Sequence, residues 1–448
     1  MKFYDRELEI KTLEKIYRQC RDTYGKITVL TGRRRVGKTL LAREYARNKK
    51  YLYLFTSKKA EKLLCDEFMA AYEEFTGNKH IGTITKFVEI FELLLQHGKS
   101  DPYVLIIDEF QEFNNINKNV YSEIQKLWDA YKFTTKVHVV FIGSIYSLMI
   151  KIFQNEKEPL YGRADRIMYI KPFRAKVIKQ ILEDYHRYSG INLFYNYLIT
   201  GGVPRYQEIL IESGCFDKET IIDFILEKDS FFINEGKNLL IQEFGKEYGM
   251  YFSILELMSA GKTSRNEIES ILERSIGGYL ERLAVEYDII ERIKSVGSRE
   301  KKSRKQRYAI KDNFVRFWFR FIYKNMTIIE NEKFEYLKKI IARDLSTYSG
   351  PILEKLFREI IGYSPDYGTI GTYWEKGNQN EIDIIAINDL DKKILLCEVK
   401  MNRRKIKMDK LREKSVALLK KYRDYDFQYK ALSLDDIEIL LEEPQIRL

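Results

Sequence analysis

Lys26-Ile27-Thr28-Val29-Leu30-Thr31-Gly32-Arg33-Arg34-Arg35-Val36-Gly37-Lys38-Thr39-Leu40-Leu41 is the stretch that decides the fold. The apolar, β-branched run at 27–30 reads as a buried strand, and a helix-forming segment opens after the glycines. Residues 32–39 fit GxxxxGK[ST], a motif whose mechanism requires this strand–loop–helix setting. Gly32 and Gly37 let backbone N–H groups curl around phosphate oxygens, helped by the positive end of the next helix. Lys38 is then placed for the β- and γ-phosphates, and the Thr39 hydroxyl for Mg²⁺. ATP and Mg²⁺ are the expected ligands.

The partner of such a loop is an acidic strand end, and Val104-Leu105-Ile106-Ile107-Asp108-Glu109 supplies one about 70 residues on. Asp108 suits the Mg²⁺ shell, and Glu109 is placed to polarise an attacking water. Around these two landmarks, apolar runs at 27–30, 51–55, 104–107, 137–142 and 167–170 alternate with helix-period segments. Near-continuous apolar strands separated by helices predict a parallel sheet covered on both faces.

Beyond residue 173 the strand runs stop. A helical region at 174–248, broken at Gly201-Gly202-Val203-Pro204, leads into three short helical patterns, then runs at 288–296 and 306–310 that flank a basic loop. Three helices and a two-stranded wing predict a winged helix at 249–323, which takes in the start of an aromatic-faced connector continuing over 324–349. Residues 299–307 place six cations in nine positions on the wing, suited to duplex backbone contact or to a solvated turn. The tail at 350–448 reads as a small separate α/β domain. With 1–173 as the nucleotide core, five segments are expected.

Composition agrees with such a chain. At 448 residues it exceeds one core, and its net charge of +11 leans toward an anionic partner such as DNA. The four cysteines are scattered, without a CxxC pair, and read as reduced residues. The four histidines form no constellation. No apolar leader or bilayer-length run is seen, so a cytoplasmic protein with no membrane partner is expected.

In the tail, Glu381 and Asp383 share one face of a strand, and Glu398 and Lys400 share one face of the next. Two adjacent strands can gather Asp383, Glu398 and Lys400, a set able to hold Mg²⁺ and orient a water for phosphodiester attack, or an ordinary charged sheet edge.

On these residues the chain resembles the prokaryotic archaeal-type ATPases, a STAND-related branch of the AAA+ proteins, over nearly its full length. Phe3-Tyr4-Asp5-Arg6-Glu7-Leu8-Glu9 is similar to the segment before the first strand, which implies that Arg6 borders the nucleotide. The resemblance implies that Ser144 senses the γ-phosphate, where it could instead cap a helix, and that Arg163 acts as a finger on a bound phosphate, where it could instead pair with Asp165 or Glu158. Gly202-Val203-Pro204-Arg205 resembles the GxP element through which such lids touch nucleotide, implying contacts from Gly202 and Pro204. The tail looks like the PD-(D/E)xK nucleases, which adds Glu354 to Asp383 and Glu398 as metal ligands and makes Lys400 catalytic. Three consecutive arginines in the loop depart from the family pattern, so switching is as plausible as steady turnover.

The expected fold class is therefore α/β: a P-loop parallel sheet with a helical lid, a winged helix and a small C-terminal nuclease-like domain. The expected function is ATP binding and hydrolysis coupled to DNA binding and metal-dependent cleavage, in a chain able to form homo-oligomers. The alternative is a nucleotide-driven signalling switch or scaffold without nuclease activity.

Overall fold

The computed structural model describes residues 1–245, 248–297, 306–375 and 379–442. They form two compact units, Tyr4–Pro172 and a second containing Met1–Phe3 with Phe173–Leu448.

The first unit is built on five strands: β1 (Lys26–Thr31), β2 (Tyr51–Phe55), β3 (Tyr103–Asp108), β4 (Val137–Ile142) and β5 (Arg166–Tyr169). All pair in parallel, in the order β2-β3-β4-β1-β5. Burial follows position in the sheet. Every residue of β3 and β4 is buried, whereas the edge strand β2 buries only Leu52 and Leu54. That is why the central strands read as continuous apolar runs. Aromatic side chains including Trp128, Phe87, Phe110 and Phe141 fill the core on one side of the sheet. The order also brings the carboxyl ends of β3, β4 and β1 side by side, where ligands of open α/β sheets bind.

The second unit opens with helices Ala175–Asp184, Gly190–Thr200, Pro204–Glu212, Lys218–Ile225 and Phe231–Phe244. Helices Tyr248–Ser259, Arg265–Leu272 and Gly277–Glu281 follow, the second fixed by a capping box between Ser264 and Glu267. An antiparallel pair, β6 (Ile290–Ile293) and β7 (Arg307–Ile310), completes the three-helix and wing arrangement. Most of the basic wing run, residues 299–305, lies outside the described residues.

A single helix, Phe334–Ile361, runs through Pro351. The boundary expected between 349 and 350 therefore falls inside one element. Gly350-Pro351 reads as a break, because an interior proline costs about 3 kcal/mol. Here Leu345, Tyr348, Ile352 and Leu353 are buried on both sides of it, and that burial outweighs the proline. The tail sheet contains β8 (Thr369–Tyr373), β9 (Ile382–Asn388), β10 (Lys393–Val399) and β11 (Asp426–Leu432), in the order β11-β10-β9-β8. β10 pairs with β11 in parallel, and the other pairings are antiparallel. The helix expected over 409–422 is two, Met408–Lys414 and Val416–Lys421, separated at Ser415, whose hydroxyl donates to the Arg412 carbonyl. The four cysteines are free and buried.

Candidate functional site

The phosphate loop leaves β1 at Gly32, whose φ is +140°. A Cβ there would lie 2.4 Å from the Ile170 carbonyl oxygen, so only glycine lets the loop pass beside the end of β5. Lys38 opens the following helix and is buried. Its Nζ donates to the carbonyls of Gly32 (2.8 Å) and Arg33 (2.9 Å), folding the ammonium back across the loop. Arg6 approaches from the N-terminal segment: it is 5% exposed and donates to the carbonyls of Lys171 (2.6 Å) and Val36 (3.4 Å). The structure thus brings Arg6 against the loop.

The Thr39 hydroxyl donates to Asp108 Oδ2 at 2.6 Å, joining the loop helix to the end of β3. Asp108 also accepts from the Tyr53 hydroxyl (3.0 Å) and the Glu109 N–H (2.8 Å). Burial raises its pKa; these hydrogen bonds hold it back in part, and the neighbouring Glu109 charge adds to the rise. A threonine hydroxyl and a carboxylate in contact at the loop mouth form a hard-oxygen pair that fits Mg²⁺.

Glu109 follows in a left-handed conformation, φ 52°. This turns its carboxylate toward β4, where the Ser144 hydroxyl lies 2.6 and 2.9 Å from its two oxygens. The Gln111 amide donates to the same carboxylate. Ser144, expected at the γ-phosphate, donates here to Glu109. Gln111 and Tyr53 were not singled out from sequence. Gln111 lies two residues beyond the acidic strand end, and Tyr53 is recognisable only once β2 is known to neighbour β3.

Arg163 is not brought to this site. Its guanidinium pairs with Asp129 at 3.1 Å and donates to the Tyr161 carbonyl at 2.9 Å. It precedes β5, whose amino end lies by the amino end of β1: Asp165 N–H donates to the Ile27 carbonyl. The phosphate loop leaves the opposite end of β1. Neither acid considered from sequence, Asp165 or Glu158, is the partner. Asp165 instead binds Lys26 and the Ile27 N–H.

Gly202 and Pro204 lie in the second unit. The Gly202 carbonyl accepts from Phe173 N–H at 2.8 Å, and a Cβ on Gly202, at φ +75°, would stand 2.1 Å from the Phe173 oxygen. Pro204 is the first residue of its helix, where its missing N–H removes no intrahelical bond. The turn therefore has a packing reason of its own.

The tail carboxylates do meet. Lys400 Nζ lies 3.1 Å from Asp383 Oδ2 and 2.9 Å from Glu398 Oε1. Lys414, which sequence gave no role, binds Glu398 Oε2 at 2.9 Å. Asp383 also accepts from the Val399 N–H at 2.7 Å. Arg358 NH1 lies 3.7 Å from Glu354 Oε2 and donates to the Asp383 carbonyl at 3.2 Å. Burial, then the charge of Asp383, pushes Glu354 up to about 7. Burial raises Glu398 too, but hydrogen bonds from Lys414 and Lys400 outweigh it and leave the carboxyl below its usual range. Among the described residues no three His, Cys, Asp or Glu side chains are grouped to hold a metal. Of the expected set Glu354, Asp383 and Glu398, the last two are joined through the Lys400 ammonium, and Glu354 faces Arg358.

Arg307, counted with the basic wing, is also committed internally. It makes a two-pronged pair with Glu381 (2.5 and 3.0 Å) and stacks on Trp374 at 4.3 Å. No described helix is long and apolar enough to cross a membrane.

Comparison with known proteins places these features in context. Residues 3–210 match an ATPase domain predominantly from Archaea, and residues 318–413 match a family described as archaeal and bacterial proteins of unknown function. The uncharacterized protein MJECL04 of Methanocaldococcus jannaschii is 32% identical over 448 residues, covering 97% of this chain and 94% of that one. A second protein of that organism, MJ0424, is 30% identical over 80 residues, 18% of this chain and 78% of its own length. The Walker-type ATPase PABY2304 of Pyrococcus abyssi aligns with a TM-score of 0.54 at 18% identity, over 71% of this chain and 96% of that structure. That likeness concerns the fold alone.

Proposed function

The chain belongs to this archaeal ATPase family, and we propose that it binds and hydrolyses Mg²⁺–ATP and uses nucleotide state to control contact with DNA. The observation that carries the reading is the 2.6 Å contact between Thr39 and Asp108, with Glu109 next in line. Lys38 would exchange the Gly32 and Arg33 carbonyls for phosphate oxygens. Thr39 and Asp108 would hold Mg²⁺, which supplies charge neutralisation between phosphate oxygens. Glu109, oriented by Ser144 and Gln111, would polarise the attacking water. Arg6 would fix the N-terminal segment against the loop. Gly202 and Pro204 form the turn whose substitution tests the coupling to the second unit, and Arg163, remote from its own loop, is proposed to act only in a homo-oligomer.

DNA is the proposed partner on the strength of the +11 charge and the basic run 299–305. Phosphodiester cleavage is a second reading, favoured by the convergence of Asp383, Glu398 and Lys400 on adjacent strands. It requires Lys400 and Lys414 to leave the carboxylates, so no hydrolytic step is derived for it. The test is duplex binding and plasmid cleavage with Mg²⁺ or Mn²⁺, under ATP and ADP, for wild type, Lys38→Ala and Asp383→Ala. Nucleotide-dependent DNA binding that is lost in Lys38→Ala supports the first reading. Cleavage lost in Asp383→Ala supports the second. DNA binding indifferent to nucleotide would leave a switch acting on another partner.

A further inference from the structure

The second unit encloses a cavity of about 230 Å³ between the wing strands, helix Phe334–Ile361 and the start of the tail sheet. That is room for about eight waters, or an organic molecule of on the order of ten non-hydrogen atoms. Its walls are largely apolar, with Met258, Ile293 and Ile310 among them, and its cations outnumber its carboxylates four to three.

Three of the four cations are engaged. Arg307 holds Glu381, Lys355 Nζ donates to Lys311 O (2.5 Å) and Asn313 Oδ1 (2.9 Å), and Arg358 donates to the Asp383 carbonyl beside Glu354. Arg316 differs. Its guanidinium lies over the Tyr348 ring, 5.3 Å from the centroid, and its Nε, like that of Arg307, is buried with no hydrogen-bond partner among the described residues. No carboxylate among them forms an ion pair with it. Four residues on, Arg320 has Asp344 at 2.9 Å, so the chain supplies an acid where an arginine is structural. Arg316 is only partly buried, and with no acid paired to its guanidinium an anion in the cavity would gain a charge-assisted hydrogen bond. The Tyr348 hydroxyl and the Thr372 hydroxyl, the latter on the cavity wall, are likewise buried without partners among the described residues.

We infer that this cavity is a binding site for a small organic anion with a flat apolar body, an aryl phosphate or aryl carboxylate, whose head group binds Arg316. The body packs on Met258 and Ile293, walls that a bare inorganic ion would leave in contact with water. None of these residues belongs to the phosphate loop.

Calorimetric titration of the full-length chain, saturated with ADP so that the phosphate loop is filled, tests the site. The probes are phenyl phosphate, benzoate, inorganic phosphate and benzyl alcohol. One phenyl phosphate or benzoate binds per chain, at least about tenfold tighter than inorganic phosphate or benzyl alcohol, and whichever binds tighter identifies the head group. Arg316→Gln weakens that binding roughly ten- to a hundredfold, the loss of a charge-assisted hydrogen bond, with ADP affinity unchanged. Should Arg316→Gln fail to fold, Ala309→Leu, which narrows the cavity without altering a charge, gives a loss in the same direction. No saturable binding of any probe below about 5 mM overturns the site, as does unchanged affinity in a folded Arg316→Gln or Ala309→Leu chain.

Discussion

The phosphate-loop acids and the tail acids are built from the same side chains and satisfied in opposite ways. At the loop, Asp108 and Glu109 accept from hydroxyls and amides, while the ammonium of Lys38 is turned onto backbone carbonyls. In the tail, two ammoniums sit directly on Asp383 and Glu398. Hydroxyl and amide donors leave the carboxylate charge uncompensated and available to a cation. Lysines compensate it outright. One cluster leaves its acids without a paired cation, and the other is closed by its lysines as folded. Motif matching alone rates them alike.

Glu109→Gln sharpens the comparison most. It removes the group proposed to polarise water while keeping shape and hydrogen-bonding capacity, so ATP turnover is expected to fall by about 10²–10⁴-fold with ATP affinity preserved. Phosphate release and equilibrium nucleotide binding measure the two effects, and turnover unchanged in the variant would break the first half of the contrast.

Lys400→Met probes the other cluster. Without its ammonium, Asp383 loses its charge partner, and the chain is destabilised by about 1–3 kcal/mol, reduced from the buried-pair range because Lys400 is 39% exposed. Mn²⁺ then stabilises the variant and not the wild type in denaturant melts. Equal stabilisation of both would mean that the lysines do not close the site.

Glu354 gives a pH signature. Its folded pKa of about 7 lies above the ordinary glutamate value of 4.5, so the native state holds the extra proton between them. Stability therefore falls as pH rises through that window, and the penalty is fully present above about pH 7. Glu354→Gln removes it: relative to wild type, the variant gains about 1–3 kcal/mol at pH 8 and nothing near pH 4. Urea unfolding at the two pH values checks the sign.

Ser144→Ala has the smallest expected effect. It loosens Glu109 without removing it, lowering kcat roughly tenfold, equivalent to one hydrogen bond, with KM little changed. A loss equal to that of Glu109→Gln would instead place Ser144 on the substrate.

Much of the first unit was legible because its central strands are buried on both faces and leave continuous apolar runs. Once the order β3-β4-β1 is set, Lys38, Thr39, Asp108, Glu109 and Ser144 must meet. Arg163 lies away from its own phosphate loop because it precedes β5, and which end of the sheet it reaches is a topological fact that composition does not carry. Pro351 concealed the long helix because burial on either side of it is visible only in three dimensions. In the tail, alternation brought Asp383, Glu398 and Lys400 together correctly. The second lysine, Lys414, comes from a helix 16 residues beyond Glu398, and it helps make the cluster an ion-pair network.

The most direct test is steady-state phosphate release from Mg²⁺–ATP by the full-length chain, comparing wild type, Lys38→Ala and Asp383→Ala. The contrast between the clusters predicts hydrolysis abolished in Lys38→Ala and retained in Asp383→Ala. Hydrolysis that survives Lys38→Ala, or disappears with Asp383→Ala, would contradict it.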